Sequence, residues 1–456
     1  MKPRFPKALY DLAGVFSEAG YACFVVGGAL RNLSMGEKPE DYDIATDATP
    51  LQVQRLLRRT IPTGIKHGTV TVLFRGDSFE VTTFRTEGPY SDGRRPDAVE
   101  YVGSIGEDLS RRDFTINGMA YDLINRRFVD PFDGRGDIRR RLIRAIGSPR
   151  ERFAEDGLRL MRCVRFAGRL GFEIDEDTYH ALEAEVARIR VVSPERIREE
   201  FTKTLLADDP TWGLTLLAES GLMKEILPEL YRTKNTPQDR GVDKDVLGHS
   251  MRSAAAAPAE SLTLRLAALL HDIGKYATQE GEPPGPLTFH GHEAVSAEEA
   301  EAILKRLRYP NAVVEEVCHL IRHHMIRYEE SWSDGAVRRF VRTIGRDHLD
   351  AWFALRRADA LGKGTRPRSA PGLESLAQRI EKVVKADSAL SVKDLAVSGD
   401  DLASWGIPRG PEMGTVLRAL LETVLDDPEQ NERERLQTIA MRFYQERIAD
   451  PHKGEL

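Results

Sequence analysis

Residues 24–46 read FVVGGALRNLSMGEKPEDYDIAT. An apolar run closes on Gly27 and Gly28, Arg31 follows, and Asp41 and Asp43 then stand one residue apart. On a strand, side chains at i and i+2 share a face. The DYD spacing therefore predicts both carboxylates on one face, with Tyr42 and Ile44 on the other. Paired carboxylates on a rigid strand suit Mg2+, which takes hard oxygen ligands and completes its shell with substrate phosphates. Two such ions serve an in-line phosphoryl displacement, one activating the attacking hydroxyl and the other steadying the leaving pyrophosphate. The glycine pair lets a triphosphate approach main-chain N–H groups. Glu80, in FEVTTFR, is the expected third carboxylate, on a neighbouring strand. Taken singly, the DxD pair reads more readily as a solvent-facing strand and the glycine pair as a hairpin turn.

The composition sets the frame. The chain has 456 residues, 41% hydrophobic and 30% charged, which describes an ordinary globular protein of two to four domains. Three scattered cysteines, Cys23, Cys163 and Cys318, argue against a disulfide framework and for a reducing cytoplasm. Charge interrupts the N-terminal apolar residues every few positions, unlike a signal peptide, and no membrane span is expected. The net charge of −6 does not advertise a nucleic-acid binder, but its distribution does. Ten arginines lie between Ile138 and Phe172, accompanied only by Glu151, Glu155 and Asp156. A local excess of arginine without lysine is a footprint for phosphates, although a charge run is more often a solvated helix face.

The secondary-structure signal divides the chain. YACFVVGGAL, TVTVLF and FEVTTFR read as strands from their β-branched and aromatic content. From about residue 138 strand signals nearly vanish and helical patterns follow. Ser193-Pro194 supplies an N-cap and a first-turn proline. The polar stretch TPQDRGVDKDVLG and the Gly/Pro-rich LGKGTRPRSAPG read as breaks. The expected fold class is α+β, a mixed sheet-and-helix head followed by an all-α body. The expected segments are 1–137 (head), 138–235 (helical neck), 245–362 (second helical module) and 385–450 (small helical tail).

The motifs beyond the DYD pair carry a resemblance. GG-x-x-R followed by DYD resembles the DNA polymerase β nucleotidyltransferase superfamily. RRDFTINGMAYD (111–122), EDGLRLMRCVRFAGRLGF (155–172) and SPERIREEFTKTLL (193–206) resemble the signatures of class II tRNA nucleotidyltransferases, the CCA-adding enzymes and their bacterial poly(A) polymerase relatives. The likeness is dense over roughly residues 20–230, and the tail resembles the C-terminal domain of bacterial CCA-adding enzymes. Three positions depart from the family pattern: Asn32 where Asp follows the arginine, Gly118 where the motif has alanine, and Cys163 where alanine is common.

The resemblance implies an enzyme that adds C, C and A to a tRNA 3′ end from CTP and ATP without a template, releasing pyrophosphate. Asp41, Asp43 and Glu80 are then catalytic, with Mg2+ on Asp41 and Asp43. Gly27, Gly28, Arg31, Arg111, Arg112, Asp113, Asn117, Asp156, Arg159, Arg162 and Arg165 bind the nucleotide. Asp156 and Arg159, at i and i+3 on an expected helix, share a face. Asp accepts and Arg donates, which matches the amino group and adjacent ring acceptor common to cytosine and adenine. The family uses this pair as an amino-acid template. The plain alternative for the two residues is a surface ion pair. Asn117 reads the ribose hydroxyl or acts as a cap. A loop within EGPYSDGRRPDAVEYVGSIGEDLS (87–110) corresponds to the flexible loop of enzymes that add the terminal A.

The body carries a second constellation: His249, His271-Asp272, His292, His323-His324 and Asp359. Their order resembles an HD phosphohydrolase domain over about residues 245–362, with a divalent metal of unassigned identity and a phosphoester substrate. It reads either as a catalytic centre or as a metal-bound scaffold. Competing whole-chain readings are an A-adding enzyme or poly(A) polymerase, a regulatory uridylyltransferase with an HD demodifying domain, and an HD hydrolase whose head only binds RNA.

Overall fold

The computed structural model describes residues 3–65, 68–87, 99–237, 245–281, 287–364, 372–385 and 391–446. Eleven short strands lie in the first 174 residues: β1 (Phe24–Val26), β2 (Asp43–Thr46), β3 (Thr60–Gly64), β4 (Thr69–Phe74), β5 (Asp77–Thr83), β6 (Arg85–Glu87), β7 (Val99–Tyr101), β8 (Ala120–Asp122), β9 (Arg127–Val129), β10 (Leu142–Ile143) and β11 (Glu173–Ile174). Seven of them form one sheet in the order β3-β4-β5-β2-β1-β8-β9. Only β2–β5 is parallel within it; the other pairs are antiparallel. After β11 the described residues are helical, as expected for an α+β chain with a helical body.

Alternation along the strands separates two cores. Val25, Ile44, Val70, Val72, Phe79 and Val81 face the main core, packed with Leu9, Leu12 and Phe16 of the helix Lys7–Glu18. Val26, Ala45, Phe84 and Ala120 face the other side and form a small cluster with Leu109. By the same alternation Asp43 and Glu80 belong to this second face, beyond the end of its apolar cluster.

The neck is led by the helix Leu158–Leu170, which buries Leu160, Met161, Cys163, Val164, Phe166 and Ala167. It packs on the helices Pro194–Leu205 and Thr211–Glu219. Ser193 takes the N-cap position and Pro194 the first turn, as the sequence predicts, but the Ser193 hydroxyl makes no cap hydrogen bond. The following helices, Val246–Ala256, Leu262–Leu270, His292–Arg306, Asn311–His323 and Leu349–Gly362, pack into one layered bundle. Arg265, fully buried, ties that bundle to the neck by donating to the carbonyls of Leu205, Ala207 and Asp208 and, on its own side, to that of Ala257. All three cysteines are buried and unpaired, and burial pushes the Cys163 thiol up, so it acts as a small core side chain.

Gly118 has a local cause. A Cβ there would lie 2.6 Å from Ile146 Cδ1 and 3.3 Å from Phe132. The glycine thus accompanies the longer side chain at 146. Gly118→Ala should destabilise the head by about 1–3 kcal/mol through overpacking. Ile146→Val, which removes the opposing methyl, should offset part of that loss in the double variant. Thermal melts of the four proteins check this; strictly additive shifts would show that the two side chains do not compete for one space.

Candidate functional site

The sheet register assembles the acid cluster. Val26, the last residue of β1, pairs with Asp43, and Asp43 pairs with Glu80 on β5. Chain reversal at Gly27 follows at once: its φ of 72° is left-handed, which glycine adopts freely. A Cβ at this residue would sit 3.0 Å from Arg112 Nη1 and 3.8 Å from Asp43 Oδ2, so the bare backbone also keeps the cleft open. Gly28 begins the helix Gly28–Met35, which no side chain caps. Asp41 corrects one expectation: β2 begins at Asp43, and Asp41 precedes it in irregular backbone. On the β1 side the pairing stops at Val26 and Asp43, although β5 runs on to Asp77. The Asp41 charge nevertheless acts on Asp43. The Asp43 carboxyl is pushed up to about 6 by the surrounding protein, then by Asp41 and Glu80, while Arg112 opposes. A divalent cation among the three carboxylates would cancel that repulsion.

A polar chain connects this cleft to the neck. Arg31 Nη1 donates to Asn117 Oδ1 at 2.9 Å, Asn117 Nδ2 donates to Asp113 Oδ1 at 3.1 Å, and two Arg162 nitrogens meet Asp113 Oδ2 at 2.8 and 2.5 Å. Burial would raise the Asp113 carboxyl, but Arg162 and the hydrogen bond from Asn117 hold it down at about 2. Arg31, Arg162 and Arg165 all stand over the Phe166 ring, 5.2, 5.2 and 4.0 Å from its centroid. The Asn117 amide joins Arg31 to Asp113. Asn32, where the family has Asp, accepts from Arg31 Nε and Nη2 at 3.1 and 2.9 Å, so the amide keeps the arginine oriented with one negative charge fewer. Arg111 and Arg112 both pair with the buried Asp108.

The expected base-reading pair differs in two ways from the sequence expectation. Asp156 is not on a helix: the helix Pro149–Glu155 ends before it, and the next begins at Leu158. Asp156 is extended, with φ −141° and ψ 106°, and its Oδ1 accepts from Leu158 N at 3.0 Å. Nor do Asp156 and Arg159 pair with each other. Asp156 takes both terminal nitrogens of Arg196, at 3.2 and 2.7 Å. Arg159 donates to Glu155 at 2.6 Å and to the carbonyls of Arg152 and Arg111. The two are held separately, which argues against the simple surface pair. Arg165 is paired with the buried Glu200. The loop residues 88–98 lie outside the described residues.

In the body, six of the seven expected ligands converge. His249 Nε2 lies 3.1 Å from Asp359 Oδ1 and 3.2 Å from His271 Nε2. His292 Nε2 lies 3.2 Å from Asp272 Oδ1 and 3.3 Å from His324 Nε2. All six are buried. The structure does not bring His323 to them: its Nδ1 faces the carbonyl of His319, and its ring lies against the His319 ring with centroids 4.5 Å apart. Consecutive helical residues point about 100° apart, and His324 is the one of the two that faces the centre. Burial would lower His271, but Asp272 and Asp359 raise it to about 9, whereas burial takes His324 down to about 4. The donors fit a divalent metal: buried imidazoles and carboxylates whose ligand atoms gather in two groups, His249, His271 and Asp272, and Asp272, His292 and His324.

Three family models match in succession: the poly A polymerase head domain over residues 23–144, the "Probable RNA and SrmB- binding site of polymerase A" over 171–233, and the HD domain over 245–368. A CCA-adding enzyme of Geobacillus sp. (strain WCH70) is 34% identical over 437 residues, 96% of each chain. The chain belongs to the CCA-adding enzymes. The CCA-adding enzyme of Lactobacillus johnsonii is 46% identical over 210 residues, about half the length of that relative. The crystal structure of the Bacillus stearothermophilus CCA-adding enzyme in complex with CTP superposes with a TM-score of 0.74 at 31% identity, covering 97% of this chain and 98% of that one.

Within this CCA-adding family member, sequence reasoning overlooked Arg196 and Glu200 as partners of Asp156 and Arg165. Both stand in SPERIREE, where alternating charges gave no hint of which side chain turns inward. A proton competes with a cation for the raised Asp43 carboxyl. Between pH 7.5 and 5, the divalent-cation concentration for half-maximal nucleotide addition should therefore rise, approaching tenfold per pH unit below about 6. Asp43→Asn should abolish addition at both pH values while tRNA binding persists. A cation requirement that does not move with pH would remove Asp43 from the ligand set.

Proposed function

We infer that the chain is a CCA-adding tRNA nucleotidyltransferase, extending tRNA 3′ ends with C, C and A from CTP and ATP and releasing pyrophosphate. The observation that carries this reading is the Asp41, Asp43 and Glu80 cluster beside the Gly27 turn, intact in a chain alignable end to end with CCA-adding enzymes. Mg2+ on these carboxylates would neutralise the triphosphate and lower the barrier to in-line attack by the tRNA 3′ hydroxyl on the α-phosphorus. The bare Gly27 backbone, the N-terminus of the helix Gly28–Met35 and Arg112 favour the β- and γ-phosphates. Asp156 and Arg159 select the base. Asp156 already accepts three hydrogen bonds, and a carboxylate offers about four acceptor positions, so Oδ2 retains room for one amino group. Guanine and uracil would oppose a carbonyl oxygen to that acceptor. Arg196 fixes the carboxylate that reads the base. The tail (385–450) is assigned to tRNA binding and the protein to the cytoplasm. The buried His/Asp centre supports a second, phosphoester-hydrolysing activity.

The test is a panel of tRNA ends lacking CCA, CA and A, each offered single nucleotides. CTP should be incorporated on the first two and ATP on the third. Asp156→Ala should relax CTP over UTP and ATP over GTP selection by tens-fold, since a hydrogen bond to a charged group contributes about 1.5–3 kcal/mol. Arg159→Ala should weaken CTP and ATP together. An unchanged selectivity ratio in folded Asp156→Ala would put base choice elsewhere.

A further inference from the structure

We propose that Asp108 is a positioning residue for the incoming triphosphate: it grips Arg112 from behind and so aims that guanidinium at the glycine turn. The inference rests on the nucleotidyltransferase reading of the head and adds to it a residue that does not itself touch the nucleotide.

Asp108 lies on the helix Ile105–Ser110 and is 1% exposed. Its neighbour Leu109, fully buried, fixes that helix in the small apolar cluster on the face of the sheet that carries Asp43 and Glu80. The Asp108 carboxylate is fully committed. Oδ1 accepts from Arg111 Nε at 3.0 Å, from Arg111 Nη2 at 2.8 Å and from the Arg85 amide, where β6 begins, at 3.4 Å. Oδ2 accepts from Arg112 Nη2 at 3.3 Å. A carboxylate offers about four acceptor positions, so these four bonds leave none for a substrate or a metal ion. The pairs are local, at i,i+3 and i,i+4, but an ordinary helix-surface pair would leave its carboxylate in water, and this one is buried. Asp108 therefore acts through the groups it holds.

Arg112 is the group that reaches the cleft. Its Nε is buried without a hydrogen-bond partner, and among the described residues Asp108 is the carboxylate it pairs with. Its other terminal nitrogen, Nη1, stands 3.0 Å from the position a Gly27 Cβ would take. One end of the guanidinium is thus anchored, and the other is presented where a triphosphate approaches bare backbone. Arg112 also opposes the burial, Asp41 and Glu80 that push the Asp43 carboxyl up. Two carboxylates therefore compete for one guanidinium. Without the Asp108 charge the long side chain would swing onto Asp43 and be lost to the phosphates. The base-reading end is tied differently: Arg159 Nη2 donates to the Arg111 main-chain carbonyl at 2.9 Å, a group that a change in side chain 108 leaves in place.

Asp108→Asn separates these roles. Three N–H donors keep the amide oxygen at the Oδ1 position, so the NH2 group turns to Arg112 Nη2, donor against donor. Calorimetry on the full-length protein with Mg2+ and no tRNA reads nucleotide binding directly. Asp108→Asn should weaken CTP and ATP about tenfold, the loss of one charge-assisted hydrogen bond. It should leave CMP, which lacks the β- and γ-phosphates, unchanged, and should keep CTP-over-UTP selection in tRNA extension. Arg112→Gln should weaken CTP to the same extent, and the double variant no further, because both changes break one contact. Where Asp108→Asn does not fold, Asp108→Glu, which keeps the charge but displaces it by one methylene, must show the same split between CTP and CMP. A folded Asp108 variant that binds CTP as the wild type does overturns the assignment. Loss of CMP binding and selectivity along with CTP, or additive losses in the double variant, overturns it as well. Wild-type protein that binds neither CTP nor ATP refutes instead the nucleotidyltransferase reading of the head.

Discussion

Asp113 is a buried carboxylate that stays charged because Arg162 meets it, and the alignment of head and neck depends on that pair. One oxygen answers Arg162 on the helix Leu158–Leu170; the other accepts from Asn117, which in turn receives Arg31. Arg31 lies on the helix that starts at the glycine turn. A single line of hydrogen bonds thus runs from the glycine turn to the helix Leu158–Leu170. Breaking one partner of such a pair leaves an uncompensated buried charge, typically 3–5 kcal/mol. Phe166 supports the same line from below, with three guanidinium groups over or beside its ring.

Much of this was legible in the sequence where composition and local physics agree. The β-branched runs became β1, β4 and β5, and Glu80 arrived beside Asp43 because the parallel β2–β5 pairing puts them in register. The misreadings share a cause: tertiary partners overrode local pattern. DYD reads as one strand, yet the pairing with β1 stops at Val26 and Asp43, and Asp41 stays in irregular backbone before β2. Asp156 and Arg159 read as one helical face, yet the Asp156 side chain bonds the Leu158 amide and the Arg196 fork, so the helix breaks there. His323 could not be told from His324 by local pattern, since the equally adjacent His271 and Asp272 do share one centre.

The two centres are opposite solutions to holding charge. The head cluster is open, acidic and self-repelling, suited to a cation that arrives with the nucleotide and leaves with pyrophosphate. The body centre is enclosed, nitrogen-rich and orientated by backbone carbonyls behind three of its four imidazoles. Such a cage exchanges its occupant slowly. Metal depletion should then empty the two centres on different timescales.

Arg265 gives the bundle a second reason to exist. Its guanidinium satisfies three main-chain carbonyls at and just past the end of the neck helix Pro194–Leu205, and no other side chain of the helix Leu262–Leu270 has the reach and the donors to replace it. Two members of the body centre, His271 and Asp272, follow that helix directly. Architecture and chemistry are therefore written in adjacent but separable letters. A descendant could forfeit every side chain of that centre and still require the helix as a keystone, so the module endures whatever becomes of the centre it houses.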